Sequence, residues 1–152
     1  MAIVSLIELK SIIPSGSCLL GLDLGRKTIG LAISDPTFLI ASPLKTISRG
    51  KLLEDFDGLK AIIDSRSVGG LVCGLPISMN GTEGPRCQST RQFVDKFLIQ
   101  RDIAVVFWDE RLSTAAVERM LIGEIDMTRK RRKKIIDKLA AAYILQGAIN
   151  AL

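Results

Sequence analysis

The apolar positions of this chain fall into short blocks whose spacing predicts alternating strands and helices. Cys18-Leu19-Leu20-Gly21-Leu22 is a continuous apolar run, which suits a central strand covered on both faces. Gly25, Arg26 and Lys27 supply a turn and residues 28–34 resume as a strand, so residues 18–35 read as a hairpin. Residues 36–43 hold two prolines and form a loop or bent edge segment, before Leu44-Lys45-Thr46-Ile47 alternates as a third strand. Leu52, Leu53, Phe56, Leu59, Ile62 and Ile63 recur at helical spacing and predict a helix over residues 51–65, weakened by about 1 kcal/mol at Gly58 relative to Ala.

Residues 69–75 form a short buried strand closed by Pro76, and Asn80-Gly81 and Gly84-Pro85 place a loop over residues 78–85. Phe93, Val94, Phe97 and Leu98 share one side of a helix over residues 86–98, and residues 103–108 are another apolar strand. Ser113 or Thr114 caps a helix running to about Ile122. A last helix opens on a basic block and runs to about Asn150, with Ile136, Leu139, Ala140, Tyr143, Ile144 and Gly147 as its apolar stripe. A hairpin and third strand followed by βαβ crossovers gives an α/β fold: a five-stranded mixed sheet with helices on both faces.

The first 17 residues read as a short extension, an amphipathic helix stopped near Pro14, and residues 18–152 as a single domain. No apolar run reaches membrane-spanning length, and the N-terminus lacks the basic start and cleavage site of a signal peptide. Three cysteines, none in a CxxC pair, point to free thiols in a reducing cytoplasm.

Charge and chemistry narrow the picture further. The chain has no histidine, which excludes Ser-His-Asp and Cys-His nucleophiles and His-ligated zinc. Its net charge of +5 is local: removing the six cations Arg129, Lys130, Arg131, Arg132, Lys133 and Lys134 leaves −1. Such a patch is expected of a surface that meets phosphates, although many charge runs are solvated faces. Six cations near a helix N-terminus oppose the helix dipole, so local stability does not account for them. Few aromatics are free for base stacking, which favours contact through shape and phosphate.

Asp23 interrupts an apolar strand, and a charge there must be paired, protonated or bound to a metal. Glu110 follows a strand parallel to that of Asp23, and such strand ends gather active sites in open α/β sheets. Asp137 borders the small-residue stripe of the last helix, which brings it toward the other two. Asp109 is set aside, because adjacent strand-end residues point to opposite faces. Three converging carboxylates repel one another, and a divalent cation resolves the repulsion; oxygen-only ligands favour Mg²⁺ or Mn²⁺. Two such ions about 3.5–4 Å apart serve phosphodiester hydrolysis. Each residue also has a structural reading: Asp23 as a turn cap, Glu110 as a solvated residue before a capped helix, Asp137 as a favourable charge early in a helix.

The motifs together resemble the YqgF/RuvX family, described both as pre-16S ribosomal RNA nucleases and as RuvC-like Holliday junction resolvase homologues. The likeness runs from Leu20 to Asn150 through GLDLGRKTIGLAISD, SPLKTI, GLPISMNGTEGPR, WDERLSTAA and RKKIIDKLAAAYILQ. It leaves out the first 17 residues, and Thr28 stands where the family often has Arg. The resemblance implies a ribonuclease H-like fold and a catalytic, metal-binding triad at Asp23, Glu110 and Asp137. It implies processing of the 5′ end of pre-16S rRNA or a pre-ribosomal particle, with branched DNA as the rival substrate. Arg111 and residues 129–134 are then expected to guide the phosphate backbone, in a monomer or weak homodimer. Two other classes compete: a catalytically silent nucleic-acid-binding module, and an actin–hexokinase-type ATPase, which needs two such domains where 152 residues supply one.

Overall fold

The computed structural model describes residues 3–112 and 129–152. Within them the order is α1 (Leu6–Ile12), β1 (Cys18–Leu24), β2 (Thr28–Ser34), β3 (Ala41–Ser48), α2 (Leu52–Ser65), β4 (Val68–Leu75), α3 (Pro85–Gln100), β5 (Ala104–Asp109) and α4 (Arg129–Asn150). A 3-10 turn, Glu110–Leu112, follows β5. The helix expected from Ser113 or Thr114 to about Ile122 lies outside the described residues.

The five strands form one sheet in the order β3-β2-β1-β4-β5. β1–β2 and β2–β3 are antiparallel, whereas β1–β4 and β4–β5 are parallel, so the sheet is mixed as expected. Alternation along β1 sends Leu20, Leu22 and Leu24 to one face, where they meet Phe56, Leu59, Phe93 and Phe97 of α2 and α3. Phe56 is the hub of that layer, with the Phe93 and Phe97 rings edge-on at 5.1 and 5.3 Å. The opposite face carries Leu19, Ala32, Val72 and Val106 under Ala141, Ile144 and Leu145 of α4. Leu9 of α1 belongs to this second layer and is fully buried, so the N-terminal helix packs on the sheet.

Several elements differ from the pattern-based reading, for local reasons. β3 begins at Ala41 and not at Leu44, and takes in Pro43 with a shift of register opposite Leu31 and Ala32. Proline is tolerated there because β3 is the sheet's edge strand. Leu53, expected on the apolar face of α2, is 62% exposed, while Asp55 is buried and accepts the Gly50 N–H at 3.0 Å. α4 is rolled relative to its expected stripe. Asp137, Ala141, Leu145 and Ala148 are buried, whereas Leu139, Tyr143 and Gly147 are half-buried. The roll follows from close approach: a Cβ on Gly21 of β1 would lie 2.8 Å from Leu145 Cβ and 3.0 Å from the Ala141 carbonyl oxygen. The Asn80-Gly81 turn forms as expected, with Gly81 at φ +86° and its N–H on the Ser78 carbonyl at 2.8 Å.

The tightest approach is at Gly30 of β2, where a Cβ would lie 2.0 Å from the Asp137 carbonyl oxygen. Gly30→Ala must therefore lift α4 and should cost about 1–3 kcal/mol in urea unfolding. Gly58→Ala, whose new methyl would meet only Ile47 Cδ1 at 3.8 Å, should instead stabilise by up to about 1 kcal/mol. Equal effects of the two substitutions would contradict the close-approach account.

Candidate active site

Asp23 is the sixth residue of β1 and only 6% exposed. Its antiparallel partner in β2 is Gly30, so the side chain of Asp23 and the empty Cβ position of Gly30 lie on the same face, that of α4. On the other flank β1 runs parallel to β4 with Leu22 opposite Cys73, which puts Asp23 level with Gly74. Asp23 is thus the one side chain in a three-strand row of Gly30, Asp23 and Gly74. Glycine on both sides clears space that larger residues would fill.

The cleared positions are taken by the other two acids. Over Gly30 sits the backbone of Asp137, placed there by the descent of α4 onto β2. Asp137 is 8% exposed, and its Oδ2 accepts the Thr28 hydroxyl, itself buried at the start of β2. Thr28 and Gly30 are two residues apart in a strand and share a face, which aims that hydroxyl at α4. Over Gly74 sits Glu110: a Cβ on that glycine would lie 2.9 Å from Glu110 Oε1 and 2.6 Å from Ile144 Cδ1. The 3-10 turn after β5 brings Glu110 back across the neighbouring strand. Asp137 and Glu110 thus stand over the strands on either side of Asp23.

Electrostatics agree with this placement. Cys73 is fully buried, and its thiol is pushed up first by burial and then by the charges of Asp23 and Glu110, so both carboxylates act on the same interior point. The three acids lie on one face of the sheet; among the described residues no three such side chains close into a compact ion-binding cluster. The donor set itself is hard oxygen only, which fits Mg²⁺ or Mn²⁺ and not a thiolate-seeking ion.

Asp109, next to Glu110, is otherwise engaged. Arg111 donates to it through Nε at 3.1 and 3.0 Å and through Nη2 at 2.7 Å. Those hydrogen bonds hold the Asp109 carboxyl below its ordinary range. The same guanidinium reaches the Ser78 and Met79 carbonyls at 3.4 and 3.5 Å, tying the loop after β4 to the end of β5. Of the basic block, the backbone opens α4; the side chains of residues 129–134 lie outside the described part of the structure.

Sequence reasoning missed Thr28. The available signal was its phase, two residues before the glycine paired with Asp23, but a partner 109 residues away in sequence leaves no local mark.

Comparison with solved structures assigns the class. Thermus thermophilus RuvC in complex with a Holliday junction superposes with a TM-score of 0.51, at 15% identity, over 89% of this chain and 94% of that one. The fowlpox virus Holliday junction resolvase gives 0.50 at 14% identity, over 89% and 99%. This is the ribonuclease H-like fold. The family model described as "RuvX: Holliday junction resolvase" matches residues 17–151, and the chain belongs to that family of nucleases. Relatives named "Putative pre-16S rRNA nuclease" include a Phenylobacterium zucineum protein, 53% identical over all of this chain and 98% of its own length. A Rhodospirillum centenum protein of the same name is 56% identical over all of this chain and 83% of its own length.

Thr28→Val keeps the shape but removes the hydroxyl donor from a buried carboxylate. It should cost about 1–3 kcal/mol in denaturant unfolding, with Thr28→Ser recovering most of the loss. A Val variant as stable as the parent would show that the hydrogen bond does not hold Asp137.

Proposed function

We propose that this chain is a metal-dependent nuclease that hydrolyses phosphodiester bonds in structured RNA, in 5′-end processing of pre-16S rRNA in the cytoplasm. The observation that carries the reading is the row of Gly30, Asp23 and Gly74 with Asp137 and Glu110 over its two glycines. The names carried by close relatives support the RNA substrate. Among the described residues no helix is long and apolar enough to cross a membrane.

In this reading Asp23, Glu110 and Asp137 hold one or two Mg²⁺ or Mn²⁺ ions. When bound, these supply charge for the developing oxyanion and lower the pKa of the attacking water. The chain's own residues do the rest. Thr28 fixes the orientation of the Asp137 carboxylate, as outer-shell donors do for ligands. Gly30 and Gly74 leave the space beside Asp23 into which Asp137 and Glu110 come down. Arg111, held by Asp109, fixes the loop after β4 at the edge of the site. The cations of residues 129–134, on the helix that carries Asp137, attract the backbone. The protein works as a monomer or weak homodimer.

A second substrate has a specific observation behind it: the family model's description names Holliday junction resolution. Incubation with precursor rRNA and with four-way DNA junctions, each with Mg²⁺ or Mn²⁺, separates the two. Precursor RNA should be cut. Asp23→Asn should reduce cutting by at least the ~10–100-fold that loss of an outer-shell partner typically causes. Cleavage of junctions alone would move the assignment to DNA, and activity unchanged in Asp23→Asn would remove Asp23 from the chemistry.

A further inference from the structure

On the far side of the sheet from Asp23, at the same end of β1, lies a small open cleft of about 60 Å³. Arg26 from the β1–β2 turn, Arg49 after β3, and Arg86, Ser89 and Thr90 from the first turns of α3 line it. Three separate chain segments therefore bring three guanidinium groups to one small opening.

The three arginines are not equivalent. Arg49 is built in: its Nη1 donates to the Gly25 carbonyl at 2.7 Å and its backbone N–H to the Lys27 carbonyl at 2.8 Å. Its guanidinium lies 5.1 Å from the Phe93 ring centroid, and its Nε is 3.9 Å from Asp55 Oδ2. Asp55 offsets its charge. Arg26 and Arg86 are exposed, and among the described residues neither forms an ion pair. The nearest acid in sequence to Arg86, Glu83, is itself bound by Arg91 at 2.7 and 2.9 Å. α3 begins with Gly84 as N-cap, without a side-chain cap and without an acid in its first turn, so its positive dipole end is not offset from within. The cleft thus carries about two uncompensated positive charges beside hydroxyl donors.

We propose that this cleft binds a backbone phosphate of the nucleic-acid substrate outside the bond to be cut; the proposal rests on the nuclease reading above. Gly25 follows Asp23 by two residues, so the cleft and the acids open at the same end of β1 on opposite faces of the sheet, and a nucleic acid that bends round the β1–β2 turn meets both. No aromatic face is offered for stacking, because Arg49 already covers Phe93. Contact is therefore through phosphate and indifferent to sequence. Arg49 sets the shape of the turn, and Arg26 and Arg86 supply the charge that is free to bind.

The test is fluorescence anisotropy of a fluorescein-labelled hairpin RNA with the full chain in EDTA, where cutting does not intrude, over a range of NaCl concentrations. Arg26→Gln/Arg86→Gln should lower the slope of log affinity against log salt by nearly two, about one for each phosphate no longer neutralised. Arg26→Lys/Arg86→Lys should restore the slope. Lys10→Gln/Arg66→Gln removes equal charge from the opposite end of the sheet and should change it little. Equal loss in the two Gln pairs would overturn the proposal, as it would report net charge alone. Titration with inorganic phosphate distinguishes a free-anion site: saturable binding lost in Arg26→Gln/Arg86→Gln with an unchanged RNA slope would also overturn it. A wild-type chain that binds RNA through these arginines but cuts nothing would refute the nuclease reading and leave the cleft standing.

Discussion

The contact between the Asp137 carbonyl and Gly30 sets the height of the last helix above the sheet, and the rest of the site depends on that height. A methyl group at Gly30 would overlap the helix backbone, and one at Gly21 would overlap Leu145. Small residues on both surfaces let main chain meet main chain, with Ala141 and Ala148 on the helix side. A buried carboxylate can then be delivered from a helix to a sheet without a long side chain. Aspartate suffices where a helix at ordinary distance would need glutamate. A shorter side chain has fewer rotamers to lose, so its orientation is more cheaply held.

Much of this was legible in the sequence, because the signals were local. Two apolar runs around Gly25, Arg26 and Lys27 mark β1 and β2 with little ambiguity, and Asp23 stands out as a charge inside the first. The place of Glu110 beside Gly74 follows from strand order, since it stands just past a strand that runs parallel to β4. The fold class and the family follow from the same features.

What was not legible arises where distant segments meet. The roll of α4 depends on glycines more than a hundred residues earlier, and helical periodicity alone cannot know about them. Thr28 looks like an ordinary β-branched strand opener until Asp137 descends upon it. Asp55 has the pattern of a solvated helix residue, yet it is buried because Arg49 and the Gly50 N–H receive it. In each case a polar group is explained by a partner that the local pattern does not contain.

The two edges of the sheet carry a consequence for how the molecule can associate. On one side Pro43 has no N–H to offer and β3 is out of step with β2 beside it. On the other, Ile3 bridges to Val105, and the Val4 N–H donates to the Val105 carbonyl at 2.9 Å, so the N-terminal segment occupies part of the border of β5. A row of unanswered backbone groups is what lets sheets join edge to edge into larger assemblies. Here one border is broken and the other partly capped by the chain's own beginning. The sheet is in this way kept from zipping onto the strand edges of neighbouring proteins.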